Sequence, residues 1–394
     1  MIDTDSIKPG TVSVLIGPNG SGKSRLLRKL CTSYLRRDES VIAIAPTLYD
    51  RFLRMPKKGL RFFGARQGRN AAANVIRDAL ERAATDDQFQ IIKNLTQALK
   101  YTNFDPVIGL EVRDLDLARF SAATERPQRD DDEDASPSGF ETLSRSERES
   151  LFSVLVKWEK QYGRGGVVRL GLDSHSFKEL DALSFAKIVQ YESVLRRTGV
   201  VSTVRYHLFR NRESFPLLQA CSGEICFITT IAFISTQIEN RSVIAIDEPD
   251  TSLHPSWQQS YVKTLLDLFH RYEPRILIST HSPIIISGAE AASGAVSVFE
   301  MKDGEASIFD HAKLSLEEMY DRLFGLITPK NHYLSQRAVT MLNALNSGDR
   351  NLDEVLHELD ALRTKSYDES QQAVITRFED MARRLAVMRQ GRRA

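Results

Sequence analysis

Apolar residues follow two rhythms along this chain, unbroken short runs and repeats at three- and four-residue spacing. Val12–Ile16, Ser40–Pro46, Ser242–Asp250 and Arg275–Pro283 carry nearly continuous apolar runs, the pattern of parallel strands covered on both faces. Leu26, Leu27, Leu30 and Tyr34 recur at helical spacing after the first run, and helical patterns fill Val75–Tyr101 and Ser144–Lys160. Val200–Phe209 and Phe215–Leu218, joined by the turn-like RNRES, predict a β-hairpin. A second hairpin, on a DG turn, is expected over Ala295–Phe309, and everything beyond reads helical. The expected fold is therefore α/β, with a mostly parallel sheet, a helical insertion and a helical C-terminal region. The expected division is residues 1–70 and 200–310 for the two parts of the core, 71–199 for the mainly helical insertion and 311–394 for the C-terminal helices. Within the insertion, the charged and unpatterned ERPQRDDDEDASPSG (125–139) predicts a disordered loop.

Composition narrows the class. With 53 Lys and Arg against 52 Asp and Glu, no global field draws the chain to nucleic acid or to a membrane, so such contacts must come from local patches. Cys31, Cys221 and Cys226 have neither disulfide-framework nor metal-ligand spacing, which fits a reducing cytoplasm. The N-terminus lacks a signal pattern and no window approaches the apolar length of a membrane helix, so a soluble, cytoplasmic protein without membrane contact is expected.

Candidate chemistry lies at the ends of the apolar runs. Gly17-Pro18-Asn19-Gly20-Ser21-Gly22-Lys23-Ser24 fits the phosphate-loop pattern GxxxxGK[ST] between a strand and a helix, the context that gives the motif its meaning. Its glycines let backbone N–H groups wrap phosphates, Lys23 neutralises their charge, and Ser24 offers a hydroxyl to Mg2+. VIAIDEP ends a strand in two carboxylates, placing Asp247 to hold the magnesium of MgATP and Glu248 to polarise an attacking water. ISTHSP ends the next strand in His281, on the same sheet edge as the phosphates. Cys221-Ser222-Gly223-Glu224 opens a long apolar stretch; taken alone, Ser222 would be a helix N-cap and Glu224 a complement to the helix dipole.

The order GPNGSGKS, CSGE, IDEPDTSLHP, STHSP resembles the ABC-type ATPases, most closely their RecF, OLD and SMC-like branch, over roughly residues 10–50 and 200–310. The resemblance implies an ABC-type P-loop nucleotide-binding domain that hydrolyses ATP as a head-to-tail homodimer or higher oligomer. It makes Cys221, Ser222, Gly223 and Glu224 a signature that closes over the partner copy's γ-phosphate, and Gln67 the residue that senses Mg2+. It puts Asp250, Thr251 and Ser252 in the loop that crosses the dimer interface and matches His254-Pro255 to the branch's LHP. The chain departs from the pattern in carrying Ala220-Cys221 for the usual Leu-Ser, a thiol for a hydroxyl, and in lacking most of the antiparallel segment ahead of the phosphate loop.

Neither a TOPRIM-like carboxylate spacing nor an HNH-like histidine cluster follows Asp310, so any chemistry on nucleic acid is expected from a nuclease or other effector encoded in trans. Anti-phage defence ATPases such as the Septu ATPase PtuA supply that analogy. The alternative is the ATPase subunit of a membrane transporter, ranked lower because of the long insertion, DTSLHP and the helical tail. Arg51–Arg69 carries seven Lys or Arg and no acid, with Phe52, Phe62 and Phe63 interleaved, which makes it the candidate nucleic-acid surface.

Overall fold

The computed structural model describes residues 4–47, 52, 55, 58–68, 70–85, 89–125, 140, 142–163, 165–173, 180–292, 296–311, 314–325, 332–364 and 369–391. The acidic loop expected at 125–139 falls outside them except for Glu125, as do Arg51, Arg54, Lys57 and Arg69 of the basic segment.

The apolar runs become strands β1 (Val12–Ile16), β2 (Val41–Ala45), β8 (Val243–Asp247) and β9 (Arg275–Thr280), all but Arg275 buried throughout. With β3 (Leu60–Gly64), β10 (Val296–Lys302) and β11 (Glu305–Ile308) they form a seven-stranded sheet in the order β11-β10-β1-β9-β8-β2-β3. Every pairing is parallel except that of the β10–β11 hairpin. Parallel neighbours β1, β9 and β8 finish together: Ile16 lies opposite Thr280, and Asp247 opposite Ser279. Everything that follows those three strands emerges at one edge, which is where open α/β sheets place their ligands.

A second, four-stranded antiparallel sheet has the order β5-β4-β6-β7, built from β4 (Val107–Arg113), β5 (Val167–Gly171), β6 (Thr203–Arg210) and β7 (Glu213–Pro216). The β6–β7 pair is the hairpin read from the sequence. Strands β4 and β5, inside the stretch expected to be mainly helical, are an addition to that reading. Their concealment has a physical cause: β4 carries Glu111 in mid-run, 4% exposed, satisfied by His207 of β6 at 3.0 Å and by Arg113 at 2.6 Å. A charge in an apolar run argues against a buried strand until its partner, far along the chain, is known. Helices α2 (Ala71–Thr85), α3 (Phe89–Tyr101), α4 (Leu117–Glu125), α5 (Arg145–Tyr162) and α6 (Leu180–Arg197) complete this part, with Leu151, Leu155 and Trp158 of α5 and Ile188 and Leu195 of α6 in its core.

Helix α7 (Ser222–Gln237) joins the two sheets. Its Phe227, Ile231 and Ile234 pack in the core of the parallel sheet, whereas Ile228 and Ala232 pack in that of the antiparallel one. A helix apolar on all sides must be covered on all sides, and this one is covered by both cores. Below it, α8 (Pro255–Phe269) and α9 (Pro283–Ala292) touch backbone to backbone, since a Cβ on Gly288 would meet the carbonyl oxygen of Gln259 at 1.6 Å. Helix α1 (Lys23–Leu35) packs on the sheet through Leu27, Leu30, Cys31 and Tyr34. Helix α10 (Leu316–Phe324) adds Met319 and Leu323 to the parallel-sheet core, and α11 (His332–Ser347), α12 (Leu352–Thr364) and α13 (Glu369–Gly391) share a small core of their own. Arg337 of α11 ties the two by an ion pair to the buried Asp321 of α10 at 3.0 Å.

Replacing Gly288 by Ala forces α8 and α9 apart. The variant is expected to lose about 1–3 kcal/mol of stability, read as a lower midpoint in urea unfolding; an unchanged midpoint would contradict the backbone contact.

Candidate nucleotide site

Strand β1 runs straight into the phosphate loop, and α1 begins at Lys23 behind a left-handed Gly22 (φ 99°), a conformation that costs a residue without Cβ little. Gly17 is required for space: a Cβ there would come within 2.5 Å of the Met301 carbonyl oxygen on β10. The N–H of Gly304, in the β10–β11 turn, donates to the Ser21 carbonyl at 3.1 Å and braces the loop from the same side.

Lys23 is 4% exposed and donates to the carbonyls of Gly17 at 2.9 Å and Pro18 at 3.0 Å. Burial holds its ammonium below the ordinary lysine value, against the pull of Glu248, Asp247 and Asp250. Ser24 Oγ donates to Asp247 Oδ1 at 2.9 Å, and Ser279 Oγ donates to the same oxygen. The phosphate loop and the end of β8 are thus joined through the two residues expected to hold magnesium.

Glu248 follows with left-handed backbone (φ 53°, ψ 56°), uncommon for a side chain of its kind. Its N–H donates to the Ser279 carbonyl at 2.9 Å, and the kink turns its carboxylate toward His281, whose Nδ1 lies 4.0 Å from Oε1. Burial, then the neighbouring charge of Asp247, raises the Glu248 carboxyl above the ordinary glutamate value, with His281 and Lys23 acting in the other direction. A base shifted toward neutrality suits proton transfer from water.

His281 Nε2 donates to Asp250 Oδ2 at 3.0 Å. That hydrogen bond raises the imidazole above its ordinary value, against the effect of burial. Burial pushes the Asp250 carboxyl up, but the hydrogen bonds from His281 and Thr280 outweigh it and hold it below the ordinary range. Asp250 therefore faces inward with a side chain 3% exposed, although the resemblance places it in an interface loop. His254 and Pro255 begin α8, with His254 Nδ1 accepting the Ser256 N–H at 3.3 Å, so this histidine caps a helix.

Among the described residues, two buried polar atoms at this edge have no hydrogen-bond partner: Ser21 Oγ in the phosphate loop and His281 Nδ1 beside Glu248. Orphaned buried groups are costly and ask for a ligand. The donor set answers to MgATP: Lys23, the loop N–H groups and Ser21 for phosphate oxygens, Ser24 and Asp247 for magnesium. The metal, when bound, supplies neutralising charge to the phosphates.

The remaining candidates are placed differently. Gln67 sits just past β3, two strands from β8 on the same edge, and its Nε2 donates back to the Phe62 carbonyl at 2.9 Å. Cys221 and Ser222 are exposed at the start of α7, but the N-cap is Cys221, not Ser222. Glu224 is buried and committed within the chain, accepting the Cys221 N–H at 2.9 Å and Arg210 Nη2 at 2.6 Å, so its carboxylate braces the signature from behind. Gly223 packs on the carboxylate loop, because a Cβ there would meet the Ser252 carbonyl oxygen at 2.2 Å. In the basic segment, Phe52 is buried and Phe62 and Phe63 pack into the cores rather than lining a surface. The pairing of Asp250 with His281 was not read from the sequence, where Asp250 was placed only by resemblance, in an interface loop.

Residues 50–287, more than half of the chain, match the family model described as "AAA domain, putative AbiEii toxin, Type IV TA system". The chain belongs to this AAA-domain family. The matched stretch takes in Gln67, the signature, both carboxylates and His281, and the phosphate loop lies ahead of it. Two curated relatives are each 31% identical: Protein ea59 of Escherichia phage lambda over 79 residues, and the Retron Ec83 probable ATPase of Escherichia coli over 85. These matches take up 20% and 19% of this chain and span only 15% of each relative. Among solved structures, cbiO1 of Clostridium perfringens, from an ABC transporter complex, aligns at 16% identity and TM-score 0.27 over 76% of this chain and 77% of its own. The Smc head domain of Pyrococcus furiosus aligns at 12% and 0.26 over 80% and 92%. No helix among the described residues of this AAA-domain protein is long and apolar enough to cross a membrane.

The Asp250–His281 pair predicts a pH signature in the nucleotide-free protein. A raised histidine value means that its stabilisation is complete below the ordinary histidine range and is lost as pH rises through the folded value. The parent should therefore exceed His281→Gln in stability by more at pH 6 than at pH 9. A difference that is constant or grows with pH would contradict the pairing.

Proposed function

We propose that this AAA-domain protein binds MgATP at the shared edge of β1, β9 and β8 and hydrolyses it. The observation that supports this most is the convergence of three strand ends: Lys23 and Ser24, then Asp247 and Glu248, then His281, joined by the Ser24–Asp247 hydrogen bond at 2.9 Å. In this reading Lys23 and the loop amides bind the triphosphate, Asp247 and Ser24 hold magnesium, Glu248 takes a proton from water, and His281 faces the γ-phosphate.

The proposal extends to assembly and partner. Two copies would meet head to tail, with Cys221 and Ser222 of one closing on the phosphates held by the other; exposure of these two residues at a helix start favours it. The nucleotide state would then control an effector nuclease encoded in trans, in anti-phage defence or DNA repair. The family's toxin description and the relative named as a retron ATPase favour a defence setting of the kind Septu represents. Nucleic-acid contact through Arg51–Arg69 would rest on phosphate charge alone, because the aromatics of the segment are turned inward.

Lys23→Ala should abolish binding of a labelled ATP analogue. Glu248→Gln should bind it like the parent but turn ATP over on the order of 10²–10⁴-fold more slowly, by phosphate release. Equal loss of nucleotide affinity in both variants would contradict the assigned roles.

A further inference from the structure

Glu248 and His281 account for the chemistry at the sheet edge, but neither explains why a carboxylate as well buried as Asp250 is kept beside them. Its contacts are complete and specific. Oδ2 accepts from His281 Nε2 at 3.0 Å, Oδ1 accepts from Thr280 Oγ1 at 2.6 Å, and its main-chain carbonyl accepts from Gln258 Nε2 at 3.2 Å. Gln258 is fixed in turn by the Ser282 hydroxyl at 2.6 Å, and Thr280 Oγ1 accepts the Ser282 N–H at 2.9 Å. The 3-10 turn Pro249–Thr251 is thereby pinned to the segment that carries His281.

A carboxylate can only accept, so the ring nitrogen facing it must carry the proton. That settles which end of the imidazole points where: Nε2 is spent on Asp250, and Nδ1, buried and without a hydrogen-bond partner among the described residues, is left toward Glu248. A 180° flip of the ring would otherwise put a carbon where each nitrogen lies. Orientation of a histidine by a carboxylate on its other nitrogen recurs in unrelated active sites because one hydrogen bond fixes both tautomer and direction.

We propose that Asp250 is a positioning residue for ATP hydrolysis, holding His281 so that Nδ1 is presented to the space between Glu248 and the phosphate loop. The proposal rests on the ATPase reading and adds to it a residue that acts through His281 without touching the nucleotide. It also explains why three acids lie within four positions of one another: Asp247 is turned to Ser24, Glu248 to the reaction space and Asp250 back to the histidine.

The test is a double-mutant cycle on the full chain, read in both turnover and ATP-analogue affinity. Asp250→Ala should lower kcat on the order of 10–100-fold, the scale of a misplaced catalytic group, with affinity within about twofold of the parent's because Lys23 is untouched. In the His281→Ala background the same change should cost little more, since its target is gone. Asp250→Glu, whose carboxylate can still only accept from Nε2, should recover part of the turnover, which separates orientation from simple loss of fold. Independent, multiplying losses from Asp250→Ala and His281→Ala would overturn the positioning role, as would a Glu variant as slow as the Ala variant. A parent chain that binds the analogue but hydrolyses no ATP would instead sink the ATPase reading, and this proposal with it.

Discussion

The site depends on a backbone constraint: the chain must leave β8 through a left-handed residue, Glu248, at φ 53° and ψ 56°. Such a conformation costs a non-glycine residue on the order of 1–2 kcal/mol, and here the surroundings hold it in place. The Glu248 N–H is tied to Ser279, Asp247 to Ser24 and Ser279, and Asp250 to Thr280 and His281. Without the kink, consecutive residues would alternate across the strand, and Asp247, Glu248 and Asp250 could not reach a serine, a reaction space and a histidine in three separate directions. The parallel register supplies the other half of the arrangement, ending β1, β9 and β8 in a row so that their loops meet.

Helix α7 connects that edge to the rest of the molecule. Its apolar body packs between two cores, its start at Cys221 and Ser222 is exposed, and Gly223 lies against the Ser252 carbonyl in the loop that carries Asp250. The packing is close enough that a shift of the α7 start must displace the carboxylate loop or be resisted by it. Glu224, gripped by Arg210 and the Cys221 N–H, makes the first turn rigid. Any shift of Cys221 and Ser222 would therefore press on an element packed directly against the loop that carries Asp250.

Much of this was legible in the sequence, for reasons that differ from residue to residue. β1 and the phosphate loop are declared locally, by an apolar run and by glycines at required positions, and the parallel strands by runs too apolar to face water. Strand β4 was hidden because Glu111 breaks its pattern, and the charge makes sense only beside His207 in the folded sheet. The role of Asp250 was hidden in a similar way: two residues beyond Glu248, it was assigned by resemblance to an interface loop, and its partner His281 follows a different strand. The aromatics of the basic segment pointed the wrong way for the same reason, since nothing local distinguishes a stacking surface from core packing.

On the function proposed above, ATP is hydrolysed at an edge completed by a second copy. Mixing chains inactivated by Lys23→Ala with chains inactivated by Ser222→Glu, whose added carboxylate would repel a phosphate at the start of α7, tests it most directly. If the halves belong to different copies, the mixed pair contains one intact site, a sound phosphate loop facing a sound signature. ATP turnover should then appear on mixing two inactive preparations. No recovery at any mixing ratio, with exchange of subunits verified by labelled chains, would contradict the account.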